Sequence, residues 1–506
     1  MEGQISEREE RFEQARQRSG LFIAPLVFFL IWCLPLRGLS PAAHHLFAIM
    51  GLVVTLWLTE AIPLPATALL GPALAVLLGI APAKEIFKSF GDPIIFLFLG
   101  SFLLAEAMMA QGLNRRIAFS ILSLKAVAQN PRRLLLAFGS ITGFISMWVS
   151  NTATTAMMFP IAIAILSEMA SQASVQSGKT VRFQDLPFST GLMLMTAFAA
   201  SIGGYGTPVG TPPNLIGIGM INKNLQVQIT FFQWMAFCIP LTLVLLSFLV
   251  WHLNRTCGRG ETVGPAIDEW LRAEKSKLGP LTRGQTNVLI AFGLTVAFWI
   301  IPGLVGVIAG TDSRAFLWLN SHLPESVVSL LGALLLFVLP INFRERRFTL
   351  TWQEAAGIEW GTILLFGGGL ALGELMFSTG LASWLGEGLA GALHAKTNLG
   401  VIALFTLVAI ILSEATSNTA SATMVVPVAI AVAQAAGVNP VQAALAATLG
   451  SSMGFMLPVS TPPNAIVYGS GCVPLLKMVK YGFLLDVAGF VAIVAVVNWL
   501  VPVCLR

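Results

Sequence analysis

Long apolar runs, broken by short polar and basic stretches, set the pattern of this chain. Residues 21–36, 51–78 and 483–504 approach or exceed the roughly 20 residues with which a helix crosses about 30 Å of hydrocarbon. Within a run the apolar positions follow one another without the alternation of a barrel strand, which predicts helices and excludes a β-barrel. Spans are expected at 21–36, 46–60 and 65–80, with Pro63 and Pro65 marking a tight connection between the second and third. A longer element starts at Asp92-Pro93, passes Glu106 and ends near Arg115-Arg116, and further spans cover 232–253, 288–308 and 327–341. The pattern as a whole predicts an all-α polytopic membrane protein.

Two runs do not read as simple spans. Each holds a neutral polar cluster at its middle: Ser150-Asn151-Thr152-Ala153-Thr154-Thr155 within 134–169, and Ser417-Asn418-Thr419-Ala420-Ser421-Ala422-Thr423 within 399–436. Such side chains compete for backbone hydrogen bonds and favour caps and turns over helix interiors, so two half-helices meeting at a turn fit each run better than one helix. Each cluster has a downstream partner, Gly210-Thr211-Pro212-Pro213-Asn214 in 187–220 and Ser460-Thr461-Pro462-Pro463-Asn464 in 440–470. The first of these segments is interrupted from Gly203 to Pro213, where a continuous helix would lose hydrogen bonds.

The pattern of the first half recurs in the second. Glu106 and Glu374 open matching stretches 268 residues apart (374 − 106), and the Ser-Asn-Thr motifs lie 267 apart (417 − 150). The Thr-Pro-Pro-Asn motifs are 250 apart (461 − 211), because the first half carries an extra polar stretch at 171–184. Lys and Arg mark the cytoplasmic loops of a membrane protein. Arg132 and Arg133 precede the first interrupted run and Lys179 and Arg182 follow it, so it enters and leaves on the cytoplasmic side as a re-entrant hairpin. The second follows one span after Arg344, Arg346 and Arg347, has only Lys396 on its flanks, and therefore enters from outside. The expected organisation is a cytoplasmic tail over 1–20, a first half over 21–253, a basic cytoplasmic linker over 254–285 and an inverted second half over 286–506. The linker carries Arg255, Arg259, Arg272, Lys275, Lys277 and Arg283. The N-terminus is expected in the cytoplasm of a cell with a multi-pass protein in its inner or plasma membrane, and the C-terminus outside.

Composition narrows the chemistry. With 56% hydrophobic and 10% charged residues, the chain is far from the roughly 25% charged content of soluble domains. The net charge of +5 sits in loops, as orientation in a bilayer requires, and implies no nucleic-acid partner. The five cysteines are scattered, with neither a CxxC pair nor metal-ligand spacing. The tail leads into apolar sequence without a small-residue cleavage site, so a retained segment is expected rather than a signal peptide. No Lys, Arg or His occurs in 139–164, 199–220, 413–433 or 450–468. An anion held there must be balanced by helix dipoles, amide donors and bound cations. Oxygen-only ligands without imidazole or thiolate suit Na⁺ better than a transition metal. Cation-coupled anion transport follows, with at least two cation sites by symmetry and no organic cofactor.

The paired Ser-Asn-Thr and Thr-Pro-Pro-Asn motifs, in this order and symmetry from Leu21 onwards, resemble the divalent anion/sodium symporter family, whose members carry dicarboxylates, citrate or sulfate. The resemblance implies about 11 spans with two re-entrant hairpins, a homodimer, and elevator-type alternating access between a scaffold and a moving domain. Carried over position by position, it implies a first sodium site of Ser146, Ser150, Asn151 and the backbone at Gly210. The second would use Ser413, Thr416, Asn418 and the backbone at Ser460. The substrate, a small dicarboxylate or other divalent anion, would meet Asn151, Thr152, Asn418 and Thr419, with Thr211, Pro212, Thr461 and Pro462 lining the cleft. A C4-dicarboxylate is chosen on resemblance alone. The family's exchangers tend to carry basic side chains where sodium would sit, and these are missing here, which favours symport.

Plainer readings stand beside these. A lone Ser/Thr patch in a membrane helix is ordinary packing glue, but its duplication with a matched partner is not. Glu106, Glu374 and Glu414 lie in apolar sequence, where a proton relay competes with a capping or pairing role at half-helix ends; the latter is preferred. Gly367-Gly368-Gly369 lacks the Lys-Ser/Thr of a phosphate loop and suits close helix packing. Most Trp residues, Trp148, Trp234, Trp352 and Trp360 among them, suit interface anchoring. An integral-membrane enzyme lacks a metal motif here, and its histidines lie away from the polar clusters, so no enzyme is expected.

Overall fold

The computed structural model describes residues 7–128, 130–258, 265–393 and 397–505. Arg259 of the expected linker, and His394 and Lys396 beside the second interrupted run, lie outside the described residues, as does the start of the tail. The first half opens with α1 (Glu7–Cys33), α2 (Pro41–Thr59), α3 (Leu64–Leu77), α4 (Ala83–Phe87), α5 (Pro93–Ala110), α6 (Leu113–Leu122) and α7 (Lys125–Ala128). It continues with α8 (Pro131–Ser146), α9 (Asn151–Ser177), α10 (Pro187–Gly203), α11 (Pro212–Leu225) and α12 (Phe231–Thr256). The linker holds α13 (Pro265–Lys277).

The second half begins with α14 (Arg283–Ala309), α15 (Arg314–His322), α16 (Glu325–Val338), and the short antiparallel strands β1 (Pro340–Asn342) and β2 (Arg347–Phe348). Next come α17 (Trp352–Ala355), α18 (Trp360–Ser378), α19 (Leu381–Leu393), α20 (Asn398–Ala415) and α21 (Asn418–Ala435). The chain ends with α22 (Pro440–Gly450), α23 (Pro462–Tyr468), α24 (Leu475–Ala495) and α25 (Val501–Cys504). The molecule is an all-α polytopic membrane protein. Among the described residues nine helices are long and apolar enough to cross a bilayer, or ten when α15 and α16, which meet at 55°, count as one span. An expectation of 11 spans plus two hairpins divides the helices differently: α9, α20 and α21 are among the nine, whereas the 14-residue α3 is not.

Local chemistry sets the boundaries. Asn130, Asn439, Ser40 and Ser150 cap the helices that follow them with side-chain oxygens, and Thr230 and Thr282 form reciprocal capping boxes with Gln233 and Gln285. Gly112, at φ 64°, ends the expected long element before Arg115, so the basic stretch starts a separate amphipathic helix, α6.

Two bodies pack side by side. One gathers α1, α2, α3, α5, α14, α16 and α18; the other gathers α8 to α12 with α20 to α24. Between them α18 lies against α11 and α21. The glycine triplet of α18 serves this packing: Cβ atoms there would fall 2.4 Å from Phe90, 2.1 Å from the Ala68 carbonyl and 2.3 Å from Thr423. Trp352 and Trp360 are exposed, as anchors would be. Trp234 is instead wholly buried, with its indole N–H donating to Tyr205 O at 2.9 Å, and Trp148 stacks on Phe231. The irregular backbone after α10 needs a buried donor, and an indole supplies one.

Helices α8 and α10 cross at Gly143 and Gly203, where a Cβ on Gly203 would lie 2.2 Å from the Gly143 carbonyl oxygen. Backbone on both sides prevents relief by rotamer change. Gly203→Ala should therefore destabilise the protein by about 1–3 kcal/mol, visible as a lower melting temperature in detergent; an unchanged melt would count against this crossing.

Candidate functional site

The first cluster forms where α8 stops and α9 begins. Ser146, fully buried in the last turn of α8, donates to Asn151 Oδ1 at 2.8 Å, which fixes the carboxamide at the first position of α9. Ser150 caps α9, accepting from Ala153 N at 3.3 Å, and donates to Glu359 Oε1 at 3.4 Å. Asn214, from the Thr-Pro-Pro-Asn motif, is also fully buried, and its Nδ2 donates to Gly204 O at 2.8 Å and Thr207 O at 2.9 Å. The Thr207 hydroxyl donates to Met147 O. Gly204 packs on the carboxamide of Asn151 and on Thr211, and Gly210 on the carbonyls of Gly204 and Met147. Thus Ser146, Asn151, Gly210 and Thr211 come together around one break. Pro212 opens α11, and Thr152, half-buried, lies in the first turn of α9.

The second cluster repeats this geometry between α20 and α21. Ser413 donates to Asn418 Oδ1 at 2.7 Å and to Ser451 O at 2.8 Å. Asn464 Nδ2 donates to Gly454 O and Leu457 O, both at 3.0 Å. A Cβ on Gly454 would lie 3.1 Å from Asn418 Oδ1, as the counterpart on Gly204 would lie 2.6 Å from Asn151 Oδ1. Thr461 caps α23 with its side chain, Pro462 opens that helix, and Thr416 is buried at the end of α20. Thr419 is half-buried in the first turn of α21.

One residue breaks the symmetry. Glu414, 5% exposed, accepts from Phe455 N at 2.5 Å, Met456 N at 2.8 Å and Leu457 N at 3.2 Å, and Ser460 donates to its carboxylate at 2.7 Å and to its carbonyl at 2.9 Å. The repeat-related position of the first half is Met147, 267 residues earlier (414 − 267). Glu414 thus ties down the broken backbone, the capping role preferred from sequence. Asp486 of α24, 4% exposed, faces Glu414, and neither of its oxygens receives a hydrogen bond. Glu374 pairs with Lys223 at 2.7 Å and Lys88 at 3.0 Å and accepts from Ser89 at 3.0 Å, which joins the end of α11 to α18.

The halves exchange partners at the site: α11 packs on α21 and α22, and α23 packs on α9 and α10. Each Pro-Pro-Asn helix is therefore seated on the other half's Ser-Asn-Thr helix or its neighbours. The donor set is oxygen throughout, from hydroxyls, carboxamides and freed carbonyls, and Asn214 Oδ1 and Asn464 Oδ1 are buried without a hydrogen-bond partner. Such a set fits a hard monovalent cation. The sequence marks both asparagines as the ends of the paired Thr-Pro-Pro-Asn motifs, 250 residues apart (464 − 214), without assigning them a role. Arg16, paired with Glu13 at 2.6 Å and Glu60 at 3.6 Å, reaches across from α1 to Ala415 O at 3.4 Å, beside the second cluster. Nothing in the local sequence signals that contact, since the two residues lie 399 positions apart.

Removing the Glu414 side chain strands three backbone N–H groups, while Ser460 keeps its bond to the residue's carbonyl. Glu414→Ala should cost about 3 kcal/mol or more at roughly 1 kcal/mol per orphaned donor, read as a large fall in melting temperature. Asp486→Asn keeps a donor facing Glu414 without a second acidic group, so it should be tolerated, with a melting temperature at or above that of the wild type; a destabilised Asp486→Asn would show that contact to be wrong.

Known proteins resemble this chain in sequence and in fold. A sodium-dependent dicarboxylate transporter, SdcS, of Staphylococcus saprophyticus is 35% identical over 505 residues, covering 98% of this chain and 94% of that protein. Its namesake from Staphylococcus aureus strain USA300 is 34% identical over 503 residues, covering 97% and 92%. Among solved structures, the Alcanivorax borkumensis YdaH transporter aligns with a TM-score of 0.55 at 12% identity, over 82% of this chain and 87% of that one. Neisseria gonorrhoeae MtrF aligns with a TM-score of 0.55 at 12% identity, over 88% and 94%. These two likenesses speak for the fold alone. The profile of the sodium:sulfate symporter transmembrane region matches residues 16–505, so the chain belongs to the sodium:sulfate symporter family and is a transporter, not an enzyme.

Proposed function

We propose that the protein couples the inward movement of Na⁺ to uptake of a divalent anion, a C4-dicarboxylate such as succinate, malate or fumarate. The observation that carries this reading is the pair of buried, repeat-related clusters whose ligands are all neutral oxygens or amide donors, with no basic residue in the four motif segments. A dianion entering such a site brings a large desolvation cost unless cations accompany it. The names of the relatives, sodium-dependent and dicarboxylate, support both cargoes.

At least two Na⁺ ions are held, one by Ser146, Ser150, Asn151 and the backbone at Gly210, the other by Ser413, Thr416, Asn418 and the backbone at Ser460. Asn151, Thr152, Asn418 and Thr419 bind the carboxylates, with Thr211, Pro212, Thr461 and Pro462 at the walls. Helix pairs α8/α9 and α20/α21 are the two re-entrant hairpins of an inverted repeat, entering from the cytoplasm and from outside. The body built from α8 to α12 and α20 to α24 moves against the other by an elevator step, in a homodimer with the N-terminus cytoplasmic and the C-terminus external. The Lys223–Glu374 pair crosses between the bodies and must part during that step. A dicarboxylate exchanger of the same fold is the alternative; Arg16 lies against Ala415 O, but its charge is matched by Glu13 at 2.6 Å and Glu60 at 3.6 Å, so it does not replace a mobile cation.

Uptake of labelled succinate into proteoliposomes separates the two. Symport predicts uptake that needs an inward Na⁺ gradient and is lost when K⁺ replaces Na⁺; succinate-for-succinate exchange indifferent to Na⁺ would falsify it. Asn151→Ala and Asn418→Ala should each abolish transport at normal expression, and wild-type rates in either remove the site assignment. Glu374→Gln weakens an ion pair worth about 1 kcal/mol, so the maximal rate should shift up to about fivefold with the Na⁺ activation curve unmoved.

A further inference from the structure

Far from the polar clusters, α6, α7 and α13 border an open cavity of about 570 Å³ lined by Arg116, Lys125, Arg272 and Lys275, with Ser120 and Ser276 beside them. The neighbouring acids are already paired, Asp268 with the lining residue Arg272 itself. Asp268 pairs with Arg272 at 2.8 Å, and Glu274 pairs with Lys277 at 2.5 Å and Arg115 at 3.1 Å. The hydrogen bond from Lys277, with Arg115 adding to it, holds the Glu274 carboxyl below its ordinary value. Arg116 donates only to neutral oxygens, at 2.7 Å to Gln285 and to Leu278 O, and at 3.0 Å to Gly279 O and Pro280 O. Among the described residues no ion pair reaches Arg116, Lys125 or Lys275. Three positive charges therefore face one cavity without a counter-charge.

The cavity's position says what could supply one. Helix α6 follows the apolar α5, and α13 joins α12 to α14, so the cavity lies at the ends of membrane-spanning helices, at the level of the lipid headgroups. Leu124, on its lining, is 52% exposed, and Ile121, on the same helix end, is 39% exposed. An apolar edge beside a cationic cavity at this depth matches a phospholipid, whose phosphate and acyl chains are joined. Helix α13 is no loose connector: Ile267 and Leu271 are fully buried, and Trp270 packs edge-on against Phe119 of α6.

We propose that this cavity binds the phosphate of an anionic phospholipid, with Lys125 and Lys275 as its free cations, Arg116 as a fixed one, and Leu124 and Ile121 against the acyl chains. Such a phosphate bridges α6 and α7 to α13. Because α6 and α7 pack on α8 and α13 packs on α9, it braces the helix pair that carries Ser146 and Asn151. The inference goes beyond the transport reading and does not depend on which anion is carried.

Native mass spectrometry of the full-length protein, incubated with phosphatidylglycerol or phosphatidylcholine, tests it. Each surface lysine strengthens anionic-lipid binding about fivefold, so the preference for phosphatidylglycerol should fall roughly 30-fold in K125Q/K275Q. Both lysines are exposed, and sodium-driven uptake in phosphatidylcholine vesicles should survive in the double variant, which separates this test from that of the transport reading. Equal retention of the two lipids by the wild type, or an undiminished preference in K125Q/K275Q, would overturn the proposal. Thermal stabilisation by inorganic phosphate matching that by phosphatidylglycerol would overturn it too, by assigning the cavity to a free ion.

Discussion

A helix interrupted within hydrocarbon leaves carbonyls and amides that no water can satisfy, and the protein meets this cost with two carboxamides. Asn214 closes the break after α10 by donating to Gly204 and Thr207, and Asn464 closes the break after α22 by donating to Gly454 and Leu457. Each amide uses both N–H groups on the backbone and leaves its own oxygen bare. The backbone of each break is held from the side rather than by helix continuation. The rest of the site depends on those two residues, although neither belongs to the motif that first draws the eye.

The two halves share this solution but differ in charge. Glu414 puts a carboxylate behind the second break, accepting three backbone N–H bonds, whereas the first break has Met147 at the related place and is held there by the Thr207 hydroxyl on a carbonyl. Outer contacts differ too: Glu359 approaches Ser150, while Arg16, its charge matched by Glu13 and Glu60, approaches Ala415. A repeat that is symmetric in its polar clusters is thus asymmetric in its buried charge, which Glu414 brings to the second break alone.

Much of this was legible in the sequence for a definite reason. Periodic apolar runs with polar interruptions are local signals, so the helix pairs α8/α9 and α20/α21, and the breaks that start α11 and α23, fall where Ser150, Ser417, Pro212 and Pro462 place them. The pairing of Ser146 with Asn151 and of Ser413 with Asn418 spans five residues and is likewise local. What escaped were contacts made through space. Trp234 looks like an interface anchor until the break at Tyr205 claims its indole, Arg16 belongs to a charged tail until α1 brings it to α20, and α13 looks like a linker until its apolar face meets α6. Residue type limits such partners without choosing among them.

The cross-packing of α11 on α21 and of α23 on α9 has a consequence for how the protein is made. A ribosome delivers α10 and α11 to the bilayer long before α21 exists, so the first Thr-Pro-Pro-Asn segment must wait in the membrane without the surface it will rest on. Insertion and assembly are then separate events, and the first half alone is not a domain in the folding sense. Any truncation that keeps the first half and discards the second would leave an exposed, broken helix in lipid, the kind of segment that membrane quality control removes.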